Sequence, residues 1–250
     1  MSVSNGEPYP SNSFSMKALI PMAGNGSRFA ERGYTFPKPL IDVRGKPMIQ
    51  VVIETLPACD EYIFICRDEH VLQYNLYDLL QNITGGKAKI KSLDKVTAGA
   101  ACTALTVKEL INNQQELLIA NSDQFVSYDK RNFEIMRRHS HARGIIFTFN
   151  ACHPKWSFAK LNPNLEVVEV AEKRPISNTA TCGIYYFAKG EYFVRSAESM
   201  IEKNIRTNNE FYIAPVFNEM IGNSELVLPF FVDKMMGLGT PEDLELFLTI

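Results

Sequence analysis

The sequence has no CxxC pair, and its cysteines are odd in number: Cys59, Cys66, Cys102, Cys152 and Cys182. That argues against a disulfide framework and a thiolate zinc site, and favours a reducing compartment. Cys66, Cys102 and Cys182 lie in apolar or small-residue runs and read as buried small hydrophobes. The four histidines lack metal spacing: His139 and His141 stand two apart, which on a helix separates them to different faces. Neither a Ser-His-Asp nor a Cys-His constellation is present. No apolar run approaches the length of a membrane span. The opening residues 1–15, "MSVSNGEPYPSNSFS", have no basic n-region and no apolar h-region. They are not a signal peptide and read as a disordered or loosely docked tail, so the chain reads as cytoplasmic. A net charge of -2 gives no general field for nucleic acid or an anionic membrane, and neither is expected as a partner. No internal repeat and no Pro/Gly/Ser-rich linker divides the chain.

What remains is an ordinary globular composition, 46% hydrophobic and 22% charged over 250 residues, enough for one large domain. The first half alternates strand and helix. "KALIPM" (17–22), "EYIFICR" (61–67) and "ELLIANSD" (116–123) read as buried strands, and "AKIKSL" (88–93) as an edge strand. Helical patterns occupy 47–56, 69–81, 99–111 and 130–142, the first opening on Pro47. This βαβα order predicts a parallel, doubly wound sheet with ligands beyond the carboxyl ends of its strands. "AGNGSRF" and "NSDQF" both sit at such ends, so they are expected to face one site. The second half predicts strands at 144–150, 155–161, 165–173 and 179–189 in near succession. Helices over 190–203 and 209–222, a strand over 226–232 and a last helix from Pro241 follow.

The loop after the first strand excludes two phosphate motifs. A dinucleotide GxGxxG beginning at Gly24 and Gly26 would need a third glycine where Phe29 stands. Neither Gly45-Lys46 nor Gly86-Lys87 completes a P-loop. The composite GxGxR…PKPL…GKPM is more telling. Glycines let backbone N–H groups turn inward as an anion nest, Arg28 offers a planar fork, and Lys38 is a point charge between Pro37 and Pro39.

"PMAGNGSRF…FPKPLIDVRGKPMIQVVIETL" closely resembles the opening of the sugar-1-phosphate nucleotidylyltransferases. "TAGAACTAL" (97–105), "ANSDQF" (120–125), "EKRPISNTATCGIYYF" (172–187) and "GLGTPEDL" (237–244) extend the resemblance over roughly residues 16–249. It implies a Rossmann-like, GT-A-like α/β fold: a central, mixed but mostly parallel sheet flanked by helices, with a β-rich C-terminal acceptor lobe. One nucleotidyltransferase domain over 16–250 is expected, with an NTP-binding half near 16–143 and an acceptor-binding half near 144–250. The resemblance also implies a chemistry: an acceptor phosphate attacks the α-phosphorus of an NTP in line and pyrophosphate leaves. The substrate brings the nucleophile, so the protein positions groups and stabilises charge.

By this resemblance Met22, Ala23, Gly24, Asn25 and Gly26 form the loop, Arg28 binds the leaving phosphates and Lys38 neutralises charge between the α- and β-phosphates. Asp123 would hold Mg²⁺, with Ser122 beside it on the nucleotide side; the ordinary reading of Asp123 is a turn or N-cap. Thr97, Gly99 and Thr103 are candidate nucleoside contacts or merely a helix start. Glu172, Lys173 and Arg174, with Gly183, Trp156 and Tyr212, are candidates for the acceptor; a solvated charge cluster is the alternative for the first three. Phe158 fits core packing better than the pocket. Many relatives carry Asp two residues before the closing Gly-Thr, where this chain has Gly237; Asp233 is the nearest substitute.

The compact length resembles enzymes of capsule and other surface-glycan pathways. Some of these are cytidylyltransferases acting on phosphocholine or phosphoglutamine. CTP is therefore the favoured nucleotide, with UTP or dTTP as alternatives, and a homo-oligomer is allowed. The rival readings are a GT-A-type glycosyltransferase and a catalytically silent regulator of the same fold.

Overall fold

The computed structural model describes residues 15–24 and 26–250. The expected tail at 1–15 therefore lies, apart from Ser15, outside the described residues, as does Asn25. The strands are β1 (Met16–Pro21), β2 (Asp42–Val43), β3 (Lys46–Pro47), β4 (Glu61–Arg67), β5 (Ala88–Leu93), β6 (Glu116–Ala120), β7 (Gln124–Ser127), β8 (Gly144–Asn150), β9 (Ser157–Leu161), β10 (Val167–Glu172), β11 (Thr179–Phe187), β12 (Val227–Phe231) and β13 (Lys234–Gly237). The helices are α1 (Ser27–Glu31), α2 (Met48–Thr55), α3 (Asp68–Gln73), α4 (Leu76–Thr84), α5 (Ala100–Leu105), α6 (Lys108–Ile111), α7 (Lys130–His139), α8 (Gly190–Glu202), α9 (Val216–Gly222) and α10 (Pro241–Thr249).

The main sheet runs β10-β9-β11-β6-β1-β4-β5, with β8 against β11 and β12 against β8. β5, β4, β1 and β6 pair in parallel, as βαβ crossovers require. β11 then enters antiparallel between β6 and β8, while β12 returns parallel to β8. The result is an α/β fold with a mixed sheet whose β5-β4-β1-β6 portion is parallel.

Strand alternation divides the apolar residues between two layers. Leu19, Ile63, Ile65, Leu117 and Ile119 face α5, α8 and α9, packing with Ala101, Phe193 and Phe217. Ala18, Ile20, Phe64 and Leu118 face the other way, against Ile49 of α2, Leu80 of α4 and Phe133 of α7. Residues from both halves of the chain fill each layer. A third cluster joins the ends of the chain: Phe29, Val43, Met48 and Val51 pack on Leu238, Leu244 and Phe247. α10 is thereby clamped beside the loop that follows β1.

Several expected elements are shorter or broken. The helix expected over 69–81 is two, because Asn75 has a left-handed φ of 47° between α3 and α4. The helix over 99–111 divides at Thr106 and Val107 into α5 and α6. Of the helix expected over 209–222 only α9 is helical; Phe211 instead pairs its backbone with Ala98 and Ala101. The β7–β13 ribbon was not expected, since four-residue strands carry too few positions for a period to register. Cys59, Cys66 and Cys182 are buried, Cys102 is half-buried and Cys152 is exposed; all are free thiols. No helix among the described residues is long and apolar enough to cross a membrane.

Leu244, 1% exposed at the centre of the third cluster, gives the first test. Leu244→Ala should cost about 3 kcal/mol of folding stability by urea denaturation, the usual price of a cavity at such a site.

Candidate active site

The cleft opens where the carboxyl ends of β1 and β6 meet. Met22 continues β1 by donating its N–H to Ile65 at 2.8 Å, which buries Met22 and Ala23 before the chain turns outward at Gly24. Gly26 caps α1 with φ 60°, a left-handed backbone suited to glycine. A Cβ there would sit 3.4 Å from that of Lys38, so the loop and the Pro-Lys-Pro segment lie in contact. Arg28, on the first turn of α1, is exposed to the cleft and makes no ion pair among the described residues.

Lys38 starts a short 3-10 turn, Lys38–Leu40, anchored by buried Pro39. Its ammonium donates to Asp123 Oδ2 at 2.8 Å, and both side chains are 25% exposed, at the cleft wall. Asp123 follows β6 through Asn121 and Ser122. Asn121 is fixed by donating its N–H to Gly183 O at 2.8 Å, and Ser122 is buried. Gly183, φ 75°, could not carry a Cβ, which would strike the Asn121 amide at 2.3 Å. From the opposite rim Leu238 donates its N–H to Asp123 O at 2.8 Å. A Cβ on the adjoining Gly239 would lie 2.6 Å from Asp123 Oδ2, so this glycine leaves the carboxylate its place. Arg28, Lys38, Asp123 and Gly26, brought from two loops, thus share one wall.

The other end of the cleft is lined by Glu172, Trp156, Ser157, Gly183, Tyr185 and, towards Lys38, Tyr212. Burial raises the Glu172 carboxyl above its ordinary value of 4.5, against the lowering effects of a Ser157 hydroxyl bond and nearby Lys173, while Glu210 adds to the rise. Lys173 itself, at φ 54°, turns its ammonium to the Tyr212 hydroxyl at 2.6 Å and over the Tyr212 ring. It reaches the site only through Tyr212. Arg174 is 68% exposed and paired with Glu169 at 3.0 Å, away from the cleft. Phe158 is fully buried.

Two other groups of expected residues stand apart from the cleft lining. Thr97 and Thr103 hydrogen-bond each other at 2.6 Å, and Thr97 also donates to Gly99 O, so their hydroxyls are engaged locally. Gly99 is needed for packing: a Cβ there would collide with the Phe211 backbone at 2.5 Å. Ala100, next in sequence, does line the cleft. Asp233 is exposed at the far end of β13 from Gly237, because Lys234 pairs with Ser127 while Gly237 pairs with Gln124. It cannot stand in for a side chain at residue 237.

Asn121, Gln124, Lys155, Thr240 and Asp243 also line the cleft and had no assigned role. Thr240 and Asp243 lie in or beside the quoted "GLGTPEDL" segment, whereas nothing in the sequence around Lys155 marks it.

The fold is that of solved sugar-nucleotide enzymes. The nucleoside-diphosphate-sugar pyrophosphorylase of Vibrio cholerae superposes with a TM-score of 0.77 at 24% identity, covering 93% of this chain and 100% of that one. A UDP-glucose pyrophosphorylase complexed with UDP-glucose gives 0.76 at 20% identity, over 94% of this chain and 97% of that one. In sequence, residues 17–246 match the nucleotidyl transferase family. The chain belongs to that family. It is 27% identical over 180 residues to the bifunctional protein GlmU of Methanocaldococcus jannaschii, spanning 70% of this chain and 40% of that protein. Mannose-1-phosphate guanylyltransferase 1 of Arabidopsis thaliana matches at 27% over 177 residues, 68% of this chain and 49% of that protein. The match therefore spans less than half the length of either curated relative.

Glu172 supplies a pH test. A carboxyl held above its unfolded value keeps protons that the unfolded chain has lost, so folding stability falls as pH rises from about 4.5 through the raised value. Glu172→Gln should leave stability nearly unchanged below pH 4.5 and raise it progressively above. Thermal melts between pH 4 and 8 will read the difference; a mutant destabilised at pH 7 would contradict the burial argument.

Proposed function

We propose that this protein is a nucleotidylyltransferase that couples an NTP to a phosphorylated acceptor and releases pyrophosphate. The observation carrying this reading is the convergence of Arg28, Lys38 and Asp123 on one cleft wall, within a chain of the nucleotidyl transferase family. The acceptor class we favour is a sugar 1-phosphate or a small phosphomonoester. Mannose-1-phosphate guanylyltransferase 1 among the relatives supports the sugar phosphate, as does a similar structure, the putative glucose-1-phosphate thymidylyltransferase of Bacillus anthracis. The names of these proteins point to different bases, so the nucleotide does not come from likeness. CTP is our leading reading, and UTP and dTTP are the alternatives to be screened.

In this reading the Gly24–Gly26 loop and Arg28 hold the β- and γ-phosphates, and Lys38 faces the charge that develops as pyrophosphate departs. The acceptor phosphate is the nucleophile, so no protein nucleophile or general base is required. The chain's contribution is alignment and preorganised positive charge. Glu172, Trp156 and Tyr212 line the acceptor end, where an aromatic wall and one carboxylate suit a hydroxylated acceptor.

Mg²⁺ fits the donor chemistry at Asp123. A hard carboxylate oxygen lies against phosphate-binding cations, and Gly239 keeps open the space beside Asp123 Oδ2 that a Cβ would fill. No group of three His, Cys, Asp or Glu suited to a metal occurs among the described residues. Phosphate oxygens and water would therefore complete the shell, as is usual for this ion. Its chemistry when bound is to offset phosphate charge.

The second reading is a catalytically silent relative, which Gly237 and the distant Asp233 favour. Pyrophosphate release decides between them. Four NTPs assayed with Mg²⁺ against a panel of sugar phosphates and phosphomonoesters should give release for one matched pair only. Lys38→Ala should lower that turnover about 10²–10³-fold, the scale for removing one charge-stabilising donor, with the fold intact by circular dichroism. Full activity in this mutant would exclude the mechanism, and NTP binding with no turnover across the panel would support the regulator.

A further inference from the structure

The cleft lining contains one cation for which neither motif nor mechanism accounts. Lys155 stands just before β9, and its ammonium lies 4.6 Å from the centroid of the Trp156 ring. It also donates to Asp243 Oδ1 at 2.7 Å, across from the first turn of α10. Both residues border the same cavity as Arg28 and Asp123. The other cations expected at this end are committed elsewhere: Lys173 to the Tyr212 hydroxyl, and Arg174 to Glu169 outside the cleft.

Gly237 explains how the pair fits. A Cβ on residue 237 would lie 3.1 Å from the Trp156 ring and 3.3 Å from Asp243 Oδ2. The indole and the carboxylate therefore take up room that any side chain at 237 would claim. Beneath them Gln124, 1% exposed, lines the cavity with an Oε1 that has no hydrogen-bond partner among the described residues. This end of the cleft thus sets a cation beside an aromatic wall, while the Gln124 oxygen, an acceptor only, is open to a ligand hydroxyl and not to an anion. Asp243 does not need its carboxylate to cap α10, since the cap is the Thr240 hydroxyl accepting from the Asp243 backbone N–H.

The geometry points to Lys155 as an anion-binding residue of the acceptor end, with Asp243 as its resident counter-ion. The anion is a phosphate group carried by the acceptor, an assignment that rests on the nucleotidylyltransferase reading. An incoming phosphate exchanges with the Asp243 carboxylate on Lys155. Phosphate has more charge and more acceptor oxygens than the carboxylate it displaces. The free protein keeps the ammonium paired until the exchange occurs, so Asp243 lowers the apparent affinity by the fraction of Lys155 it holds.

Trp156 is the sole tryptophan of the chain and reports directly on this exchange. Its emission should be titrated with inorganic phosphate and with glucose 1-phosphate at matched ionic strength, without NTP. Saturable quenching or enhancement is expected in the wild type. Lys155→Met and Lys155→Gln should weaken it roughly tenfold or more, as loss of a charge-assisted contact does. Lys155→Arg should retain binding. Asp243→Asn is the sharpest arm: by removing the competitor it should tighten binding a few-fold, whereas a merely structural ion pair predicts no gain.

The assignment is overturned if wild-type emission ignores both probes, or if the neutral Lys155 variants keep the wild-type midpoint. It is equally overturned if Asp243→Asn leaves phosphate affinity unchanged and lowers Mn²⁺ affinity in a paramagnetic titration, which would make Asp243 a metal carboxylate. Because the fluorescence arm needs no turnover, its result is separate from that of the pyrophosphate assay.

Discussion

The cleft depends on β1 and β6 lying side by side in parallel, with Ala18 opposite Leu118 and Leu19 opposite Ile119. Parallel pairing sends both chains out of the same edge of the sheet, so the loops that follow must share space. One carries Gly26, Arg28 and Lys38; the other carries Asn121, Ser122 and Asp123. The 2.8 Å contact between Lys38 and Asp123, residues far apart in sequence, follows from that register. A slip of one residue in either strand would turn the alternating apolar faces of both layers to the wrong side, so the site is held by the core.

β11 adds the constraint that closes the end of the cleft around Glu172. It runs antiparallel to β6, placing Gly183 against Asn121, and it delivers Tyr185 beside Ser157 and Glu172. The C-terminal segment closes the remaining rim through two kinds of contact. Leu238, Leu244 and Phe247 pack on Phe29 and Met48, and the Leu238 N–H bonds to Asp123 O. Phe29 of α1, beside the opening loop, and the closing segment therefore belong to one apolar cluster.

How much of this was legible in the sequence follows from the range over which each feature is determined. Buried strands such as β4 and β6 could be read because their apolar runs are local and uninterrupted. The opening loop was legible because glycine, arginine and a Pro-Lys-Pro constrain a short stretch in a few ways. The β7–β13 ribbon was not, because its pairing is a tertiary contact between two short segments. The same reason explains Asp233. Proximity in sequence to Gly237 suggested it, but an extended strand moves each residue about 3.3 Å along, and Asp233 ends up at the opposite end of β13. Lys155 and Asp243 became visible only when β9 and α10 were brought together. Arg174, two residues after the cleft residue Glu172, turns away because its local partner Glu169 lies outside.

The charges of the cleft are arranged as pairs. Asp123 is matched by Lys38 and Asp243 by Lys155, each within 2.8 Å, while Arg28 has no counter-ion among the described residues. On the proposed function a triphosphate meets Arg28 and Lys38, an acceptor phosphate meets Lys155, and each lysine must loosen from its carboxylate. Holding the lysines in pairs avoids the repulsion of three uncompensated cations in the empty site, and it keeps both ammonium groups oriented towards the ligand space. Each pair lowers the affinity of the one phosphate that must displace its carboxylate. On the proposed function the NTP and the phosphorylated acceptor displace different carboxylates, Asp123 from Lys38 and Asp243 from Lys155, so each exchange acts on its own substrate.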